Sequence, residues 1–136
     1  EQALNIATEG GPALLQDYLS DAPSGDVRIH VVDGELLQID GRPCAVRRVP
    51  GEGEWRSNVA LGGRATRPEL SEAQRALVKR VGPILARQGL WHVGLDVVGD
   101  KIVECNVFSA GGIGDASRFA ERDFARELVS RFLANI

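Results

Sequence analysis

Three side chains near the C-terminal third carry oxygen donors at a spacing that could bind a cation: Asp96, Glu104 and Asn106, within Val93-Gly94-Leu95-Asp96-Val97-Val98-Gly99-Asp100-Lys101-Ile102-Val103-Glu104-Cys105-Asn106-Val107. Two short apolar runs flank a Gly-Asp pair, which is the pattern of a β-hairpin. A two-residue turn at Gly99-Asp100 would set Asp96 opposite Val103 and mix polar with apolar groups on both faces. A three-residue turn, Gly99 to Lys101, pairs Val98 with Ile102 and Asp96 with Glu104. One face then carries Val93, Leu95, Val97, Val103, Cys105 and Val107, and the other carries Asp96, Glu104 and Asn106. A one-residue slip turns every side chain over, so this segregation favours the longer turn.

Like charges directly opposite on a sheet repel. A divalent cation would give them a reason to meet. Mg²⁺ takes hard oxygen ligands, few from protein and the rest from water and phosphate, so this donor set suits a nucleotide-bound metal. The solvated side of an amphipathic hairpin would show the same acidic pair. Directly after it, Ser109-Ala110-Gly111-Gly112 is a small-residue turn that lets backbone approach an anion.

The elements that must position these residues are legible along the chain. Val27 to Val32 alternates and is β-branched, hence a strand. Asp33-Gly34 signals a hairpin into Glu35–Ile39, and Asp40-Gly41 turns the chain into a third strand, Cys44 to Val49, giving a meander. Residues 50 to 68 are long and glycine-rich for a connection, a flexible loop suited to a lid, with Arg56, Asn58 and Arg64 as donors to an anion; a solvated surface loop would look alike. Trp55 in that loop must dock on the protein or on a ligand. Ser71-Glu72-Ala73-Gln74 forms a capping box for a helix with Ala73, Leu77, Val81, Ile84 and Leu85 as its stripe. Gly82-Pro83 should kink or break it, Gly89 should stop it, and its target is the apolar face of the hairpin. Phe124, Leu128 and Phe132, widened by Val129 and Leu133, mark a closing helix from about Arg122. Strands with helices laid on one face make an α+β sandwich.

Size and composition fit one domain: 136 residues, 43% hydrophobic. A net charge of −3 without like-charge blocks argues against nucleic acid as partner, and the apolar runs are too short to span a membrane. Cys44 and Cys105 make neither a disulfide framework nor a metal motif, which fits a reducing cytoplasm, with Cys105 as a small buried hydrophobe. Glu1 reads as a cut edge of a longer chain rather than a targeting peptide. His30 and His92 read as packing or surface residues.

Taken in order, Gln16-Asp17-Tyr18-Leu19, Gly25 to Gly34, Val46-Arg47-Arg48-Val49-Pro50, Arg56-Ser57-Asn58 to Arg64, and Gly94-Leu95-Asp96 to Glu104-Cys105-Asn106 resemble the C-terminal half of the ATP-grasp domain of prokaryotic glutathione synthetase, from about residue 14 onward. That family joins γ-glutamylcysteine to glycine with ATP and Mg²⁺, Mn²⁺ being the alternative ion. The resemblance implies Asp96, Glu104 and Asn106 as metal ligands. It implies Gln16, Asp17, Tyr18 and Leu19 as a hinge strand meeting adenine, and Asp26 near the ribose. Arg28 and Arg48 would face the transferred phosphoryl group, and Arg56 and Asn58 would lie in the closing lid. Two departures matter. The first ATP-grasp subdomain has no counterpart here, so this piece should not ligate alone, and Ser109-Ala110-Gly111-Gly112 replaces a Ser-Pro-Thr turn, which bears on the substrates. Another ATP-grasp peptide ligase, or a non-catalytic nucleotide-binding scaffold module, is the alternative. Small-molecule substrates are the expected partners, with self-association left open.

Overall fold

The computed structural model describes residues 11–12, 16–51 and 63–135. Among the described residues, eight strands and three α-helices follow a 3₁₀ turn at Ala22–Ser24. The strands are β1 (Asp26–Val32), β2 (Glu35–Leu36), β3 (Gln38–Ile39), β4 (Arg42–Pro43), β5 (Ala45–Val49), β6 (Arg64–Thr66), β7 (His92–Val98) and β8 (Lys101–Asn106). The helices are α1 (Glu72–Arg87), α2 (Ile113–Ala120) and α3 (Phe124–Ala134).

The main sheet runs β6-β5-β1-β7-β8, antiparallel throughout, with β2 added to the far end of β1; β3 and β4 form a separate ribbon. The expected meander is therefore incomplete. Asp33-Gly34 does turn the chain, both residues at positive φ, and Val32 pairs with Glu35. The returning strand then leaves the sheet, and β5 takes its place beside β1, with Asp26 opposite Arg48 and Ile29 opposite Ala45. Arg64–Thr66, placed in a loop on sequence grounds, is the edge strand β6. Residues 16–19 are described but form no strand.

Both faces of the sheet are covered, which corrects the expectation of helices on one face only. Val27, Ile29, Val31, Val93, Leu95 and Val97 pack with Leu77, Val78 and Leu85 of α1. On the reverse, Val32, Leu37, Cys44 and Val46 pack with Ala116, Ala120 and Phe124 of α2 and α3. Alternation along each strand sends successive side chains to opposite layers, so a strand with both faces covered loses its polar side.

Helix α1 begins as its sequence requires. Ser71 Oγ accepts the Gln74 N–H at 3.2 Å and Gln74 Oε1 accepts the Ser71 N–H at 3.1 Å. Gln74 Nε2 also donates to the Gly99 carbonyl, tying the helix start to the hairpin turn. Gly82-Pro83 does not break the helix, which ends before Gly89 at φ 74°. The buried stripe is Gln74, Leu77, Val78, Gly82 and Leu85, while Ala73 and Ile84 face outward. Gly82 is there for close approach: a Cβ on it would stand 1.9 Å from the Gly34 carbonyl oxygen.

The β7–β8 hairpin keeps Asp96 opposite Glu104, but by another route. The turn is the two-residue one, Val98 pairing with Lys101 rather than Ile102, and Val97 pairs with Ile102. A bulge then makes Val103 the extra residue and restores the Asp96–Glu104 register. Because β8 is an edge strand, Val103, Cys105 and Val107 are exposed, and the expected burial of Cys105 is not met. After Asn106 the small-residue turn leads into α2, a helix the sequence reading passed over. Asp123 Oδ1 then caps α3 by accepting the Arg126 N–H, so that helix starts at Phe124. Phe124 is fully buried and Leu128 packs beneath it, whereas Val129, Phe132 and Leu133 stay half or more exposed.

Gly82→Ala decides whether the approach of α1 to the Gly34 turn is as tight as this. Helix propensity favours alanine by about 1 kcal/mol, whereas overpacking costs about 1–3 kcal/mol. We expect a net loss of stability in urea unfolding; an unchanged or raised midpoint would show that the contact is loose.

Candidate functional site

Cross-strand register brings the charged residues together on one face. Asp26 and Arg28 lie two apart on β1; Arg48 of β5 is opposite Asp26, and Asp96 of β7 is opposite Arg28. Glu104 of β8 is opposite Asp96, and Asn106 follows it on the same face opposite Gly94. Four adjacent strands therefore build the site.

Asp96 is its centre, with 1% of its surface exposed. Arg28 grips it with both prongs of its guanidinium, Nε to Oδ1 at 2.7 Å and Nη2 to Oδ2 at 2.8 Å. Arg48 Nη2 reaches the same Oδ2 at 2.7 Å, and Asn106 Nδ2 donates to it at 3.2 Å. Arg48 also holds Asp26 in a two-pronged contact, both arms at 2.7 Å. Burial by itself would push the Asp96 carboxyl up, but the hydrogen bonds and charges of Arg28 and Arg48 outweigh it and hold the group below the usual carboxylate range. Burial likewise opposes the charge on Arg48, and Asp26 and Asp96 overcome it, keeping that guanidinium charged.

The donor chemistry fits a hard divalent ion as a partial ligand set. Among the described residues, Asp96 Oδ2 already accepts from three donors, but Oδ1 accepts only from Arg28 Nε. A lone pair of Oδ1, the exposed Glu104 carboxylate and the Asn106 amide oxygen remain, all oxygens, as Mg²⁺ prefers. Among the described residues no cluster of three His, Cys, Asp or Glu side chains could enclose a metal. An ion here would draw its other ligands from water and phosphate.

The remaining sequence candidates divide into two groups. Gln16, Asp17 and Tyr18 are exposed and Leu19 is half-buried in irregular chain. Trp55, Arg56 and Asn58 lie outside the described residues, as does most of the expected lid.

One pair was missed. His30, fully buried on β1, stacks on His92 at 5.4 Å between ring centroids, with Nδ1 of His30 3.1 Å from Nε2 of His92. Burial, then the neighbouring His92 and Arg28, push His30 down to about 3, with Asp96 opposing; burial lowers His92 as well. The signal was available: His30 is two residues from Arg28, and His92 lies diagonally across the β1–β7 ladder, beside the Gly94 that faces His30.

A match covers residues 3–121 to the ATP-grasp domain of prokaryotic glutathione synthetase. Among similar proteins, the glutathione synthetase of Mesorhizobium japonicum is 42% identical over 84% of this chain and 34% of its own length. That of Parasynechococcus marenigrum is 40% identical over 88% and 37%, and that of Pseudomonas aeruginosa 37% identical over 90% and 37%. The chain thus spans about a third of the length of these relatives.

Two outcomes test the electrostatics. Removing one charge from a buried ion-pair network costs about 3–5 kcal/mol, so Asp96→Asn should destabilise the fold by that order at neutral pH, read by urea unfolding; a change well under this would mean the network is wet. For pH, unfolded His30 titrates at 6.5 and folded His30 at about 3, so acidification adds a proton to the unfolded state first. Stability should be full above about pH 6.5 and decline from there toward pH 3, with the lowered Asp96 adding its loss below about pH 3.9. His30→Leu should make the decline between about pH 6.5 and pH 4 shallower; the same slope in that variant would remove His30 as its source.

Proposed function

The chain belongs to the family of prokaryotic glutathione synthetase ATP-grasp domains, and from that premise we propose that it is the C-terminal part of an ATP- and Mg²⁺-dependent carboxylate–amine ligase joining γ-glutamylcysteine to glycine. The observation carrying this is the register that sets Asp96 against Glu104, with Asn106 beside them and two guanidiniums on the same face.

The reaction this arrangement suits has two steps. A substrate carboxylate oxygen attacks the terminal phosphorus of ATP, forming an acyl phosphate and releasing ADP. The amine then attacks the acyl carbon, and inorganic phosphate departs as the amine loses a proton. No side-chain nucleophile is needed. Arg28 and Arg48 spend Nε and Nη2 on the carboxylates, which aims each planar group and leaves Nη1 for phosphoryl oxygens, that of Arg28 having only a long 3.4 Å contact with the Gly111 carbonyl. Guanidiniums fixed in advance stabilise charge as it develops, without reorganising at the moment of reaction. Glu104, Asn106 and Asp96 would hold Mg²⁺, which when bound neutralises phosphate charge. Arg56 and Asn58 belong in this reading to a lid that excludes water from the acyl phosphate. Gln16, Asp17, Tyr18 and Leu19 would meet the adenine, and Asp26 the ribose. The first half of the ATP clasp would come from a further part of the protein, and two free thiols fit a cytoplasmic setting.

Asp96 is a poor residue for testing the metal, since its loss also disturbs the fold. Glu104 is exposed and serves better. In the full-length protein, ATP consumption should depend on added γ-glutamylcysteine. Glu104→Gln should lower kcat/KM by about tenfold or more, corresponding to roughly 1.4 kcal/mol, and raise the Mg²⁺ needed for half-maximal rate, with an unchanged unfolding midpoint. Wild-type rates at low Mg²⁺ in that variant would remove Glu104 from the metal site.

A further inference from the structure

Beside the chain that links β6 to α1 lies a cleft of about 460 Å³, a size that receives a small molecule. Three guanidiniums line it: Arg42 on β4, Arg67 just past β6, and Arg75, the fourth residue of α1. Among the described residues one carboxylate, Glu69, lines it too, so the cleft is positive on balance. Asp26, Arg28, Arg48, Asp96, Glu104 and Asn106 take no part in it, although Arg48 follows the lining residue Ala45 by only three positions on β5.

The three arginines differ in what they already hold. Arg42 Nη1 donates to the Ala120 carbonyl at 2.6 Å and lies 3.5 Å from the Glu121 carboxylate, which fixes it against the end of α2. Arg67 and Arg75 make no hydrogen bond or ion pair among the described residues, and Arg75 is half-buried. A guanidinium partly out of water with no acceptor gives up hydration and gains nothing in return. Its position adds to the cost, since the dipole at a helix start disfavours a cation. Sequence alternation puts Arg67 there: Pro68 and Leu70 are buried, so Arg67 and Glu69 between them face outward. Apolar lining comes from Phe119 on α2 and from Pro43 and Pro68. Arg118, itself engaged by Asp115, stacks over the Phe119 ring at 4.4 Å and steadies it.

We propose that this cleft is a second ligand site, for a small organic anion in which a phosphate or carboxylate group is joined to a flat apolar body. The acidic group is held between Arg67 and Arg75, whose planar forks can each give two parallel N–H bonds. The apolar body lies against Phe119 and the two prolines, and Arg42 adds charge from a fixed position. Binding removes the repulsion between unpaired guanidiniums and ties the end of β6 to the start of α1. The site does not rest on the function proposed above.

The test titrates the full-length protein, nitrogen-15 labelled and free of Mg²⁺, with phenyl phosphate and benzoate, and with inorganic phosphate and acetate as their counterparts without a ring. The Arg67 and Arg75 Nε–H resonances and the Leu70 and Phe119 amides should shift together and saturate, with at least one ring-bearing anion binding more tightly than its bare counterpart. Arg67→Gln and Arg75→Gln should each weaken that binding about tenfold, the loss of hydrogen bonds to a charged group. Both should leave acid-dependent ATP consumption at its wild-type rate. Should either variant not fold, the wild-type midpoint in urea should still rise with the preferred anion, as mass action requires. Phe119→Leu should remove the advantage of the ring. Tighter phenyl phosphate binding assigns the site to phosphate esters, and tighter benzoate binding to carboxylates. Resonances that ignore all four anions, bare anions binding as tightly as ring-bearing ones, equal binding in the arginine variants, or ATP consumption lost with Arg67 would overturn the second site. Saturable binding in a protein that consumes no ATP would keep the site and remove the ligase reading.

Discussion

A carboxylate almost wholly out of water, gripped by guanidiniums from two strands, is the interaction on which the rest of this structure depends. Arg28 and Arg48 outweigh the burial that would otherwise favour the neutral form of Asp96 on β7; Asp96 in turn anchors Arg28, and shares Arg48 with Asp26. The three groups sit on three adjacent strands, so each strand's register is tied to the others. A slip of one residue in β7 would turn Asp96 into the layer packed on α1 and bring Leu95 or Val97 into the charged face. Apolar packing alone would tolerate other pairings of similar volume. Here the charge network is what makes one register far better than its neighbours.

The position of the site follows from where the helices stop. On the α1 side, Val27 to Val31 and Val93 to Val97 are covered along their length. On the other side, α2 and α3 cover the end of the sheet holding Val32, Leu37, Cys44 and Val46, and the charged residues begin where that cover ends. His30 stands at the boundary, polar but wholly buried, between an apolar half-layer and a charged one. Trp91 closes the covered end against Phe132, edge to face at 5.3 Å. One face of one sheet thus supplies both a core and a site.

What could be read from the sequence was what local periodicity encodes. The hairpin, the Ser71 cap, the stop at Gly89 and the shared face of Asp96, Glu104 and Asn106 all follow from spacing within a few residues. What could not be read depends on partners distant along the chain. The Val103 bulge exchanges one turn length for another while leaving the acidic pair opposed, so the faces near Asp96 were legible and the turn was not. Gly82 looked like a helix breaker because the Gly34 turn it accommodates lies far upstream. Helix α2 was hidden because its buried residues are two alanines, too small to make a visible stripe. Arg28 and Arg48 were legible as cations but not as partners of Asp26 and Asp96, which only strand pairing reveals.

The ion pairs also bear on how a highly charged ligand could be received. Among the described residues, the carboxylates of Asp26, Asp96 and Glu104 are interleaved with the guanidiniums of Arg28 and Arg48 on this face. A bare cluster of acids would bind a cation tightly and repel phosphate; a bare pair of arginines would do the opposite. Interleaved, they can meet a cation and a polyphosphate together, each neutralising what the other brings. The two-pronged contacts also hold the long arginine side chains in place before any ligand arrives, so the conformational entropy of ordering them is a cost of folding and not of binding. A site assembled this way gains its affinity from what is already fixed, and the burial of Asp96 is what fixes it.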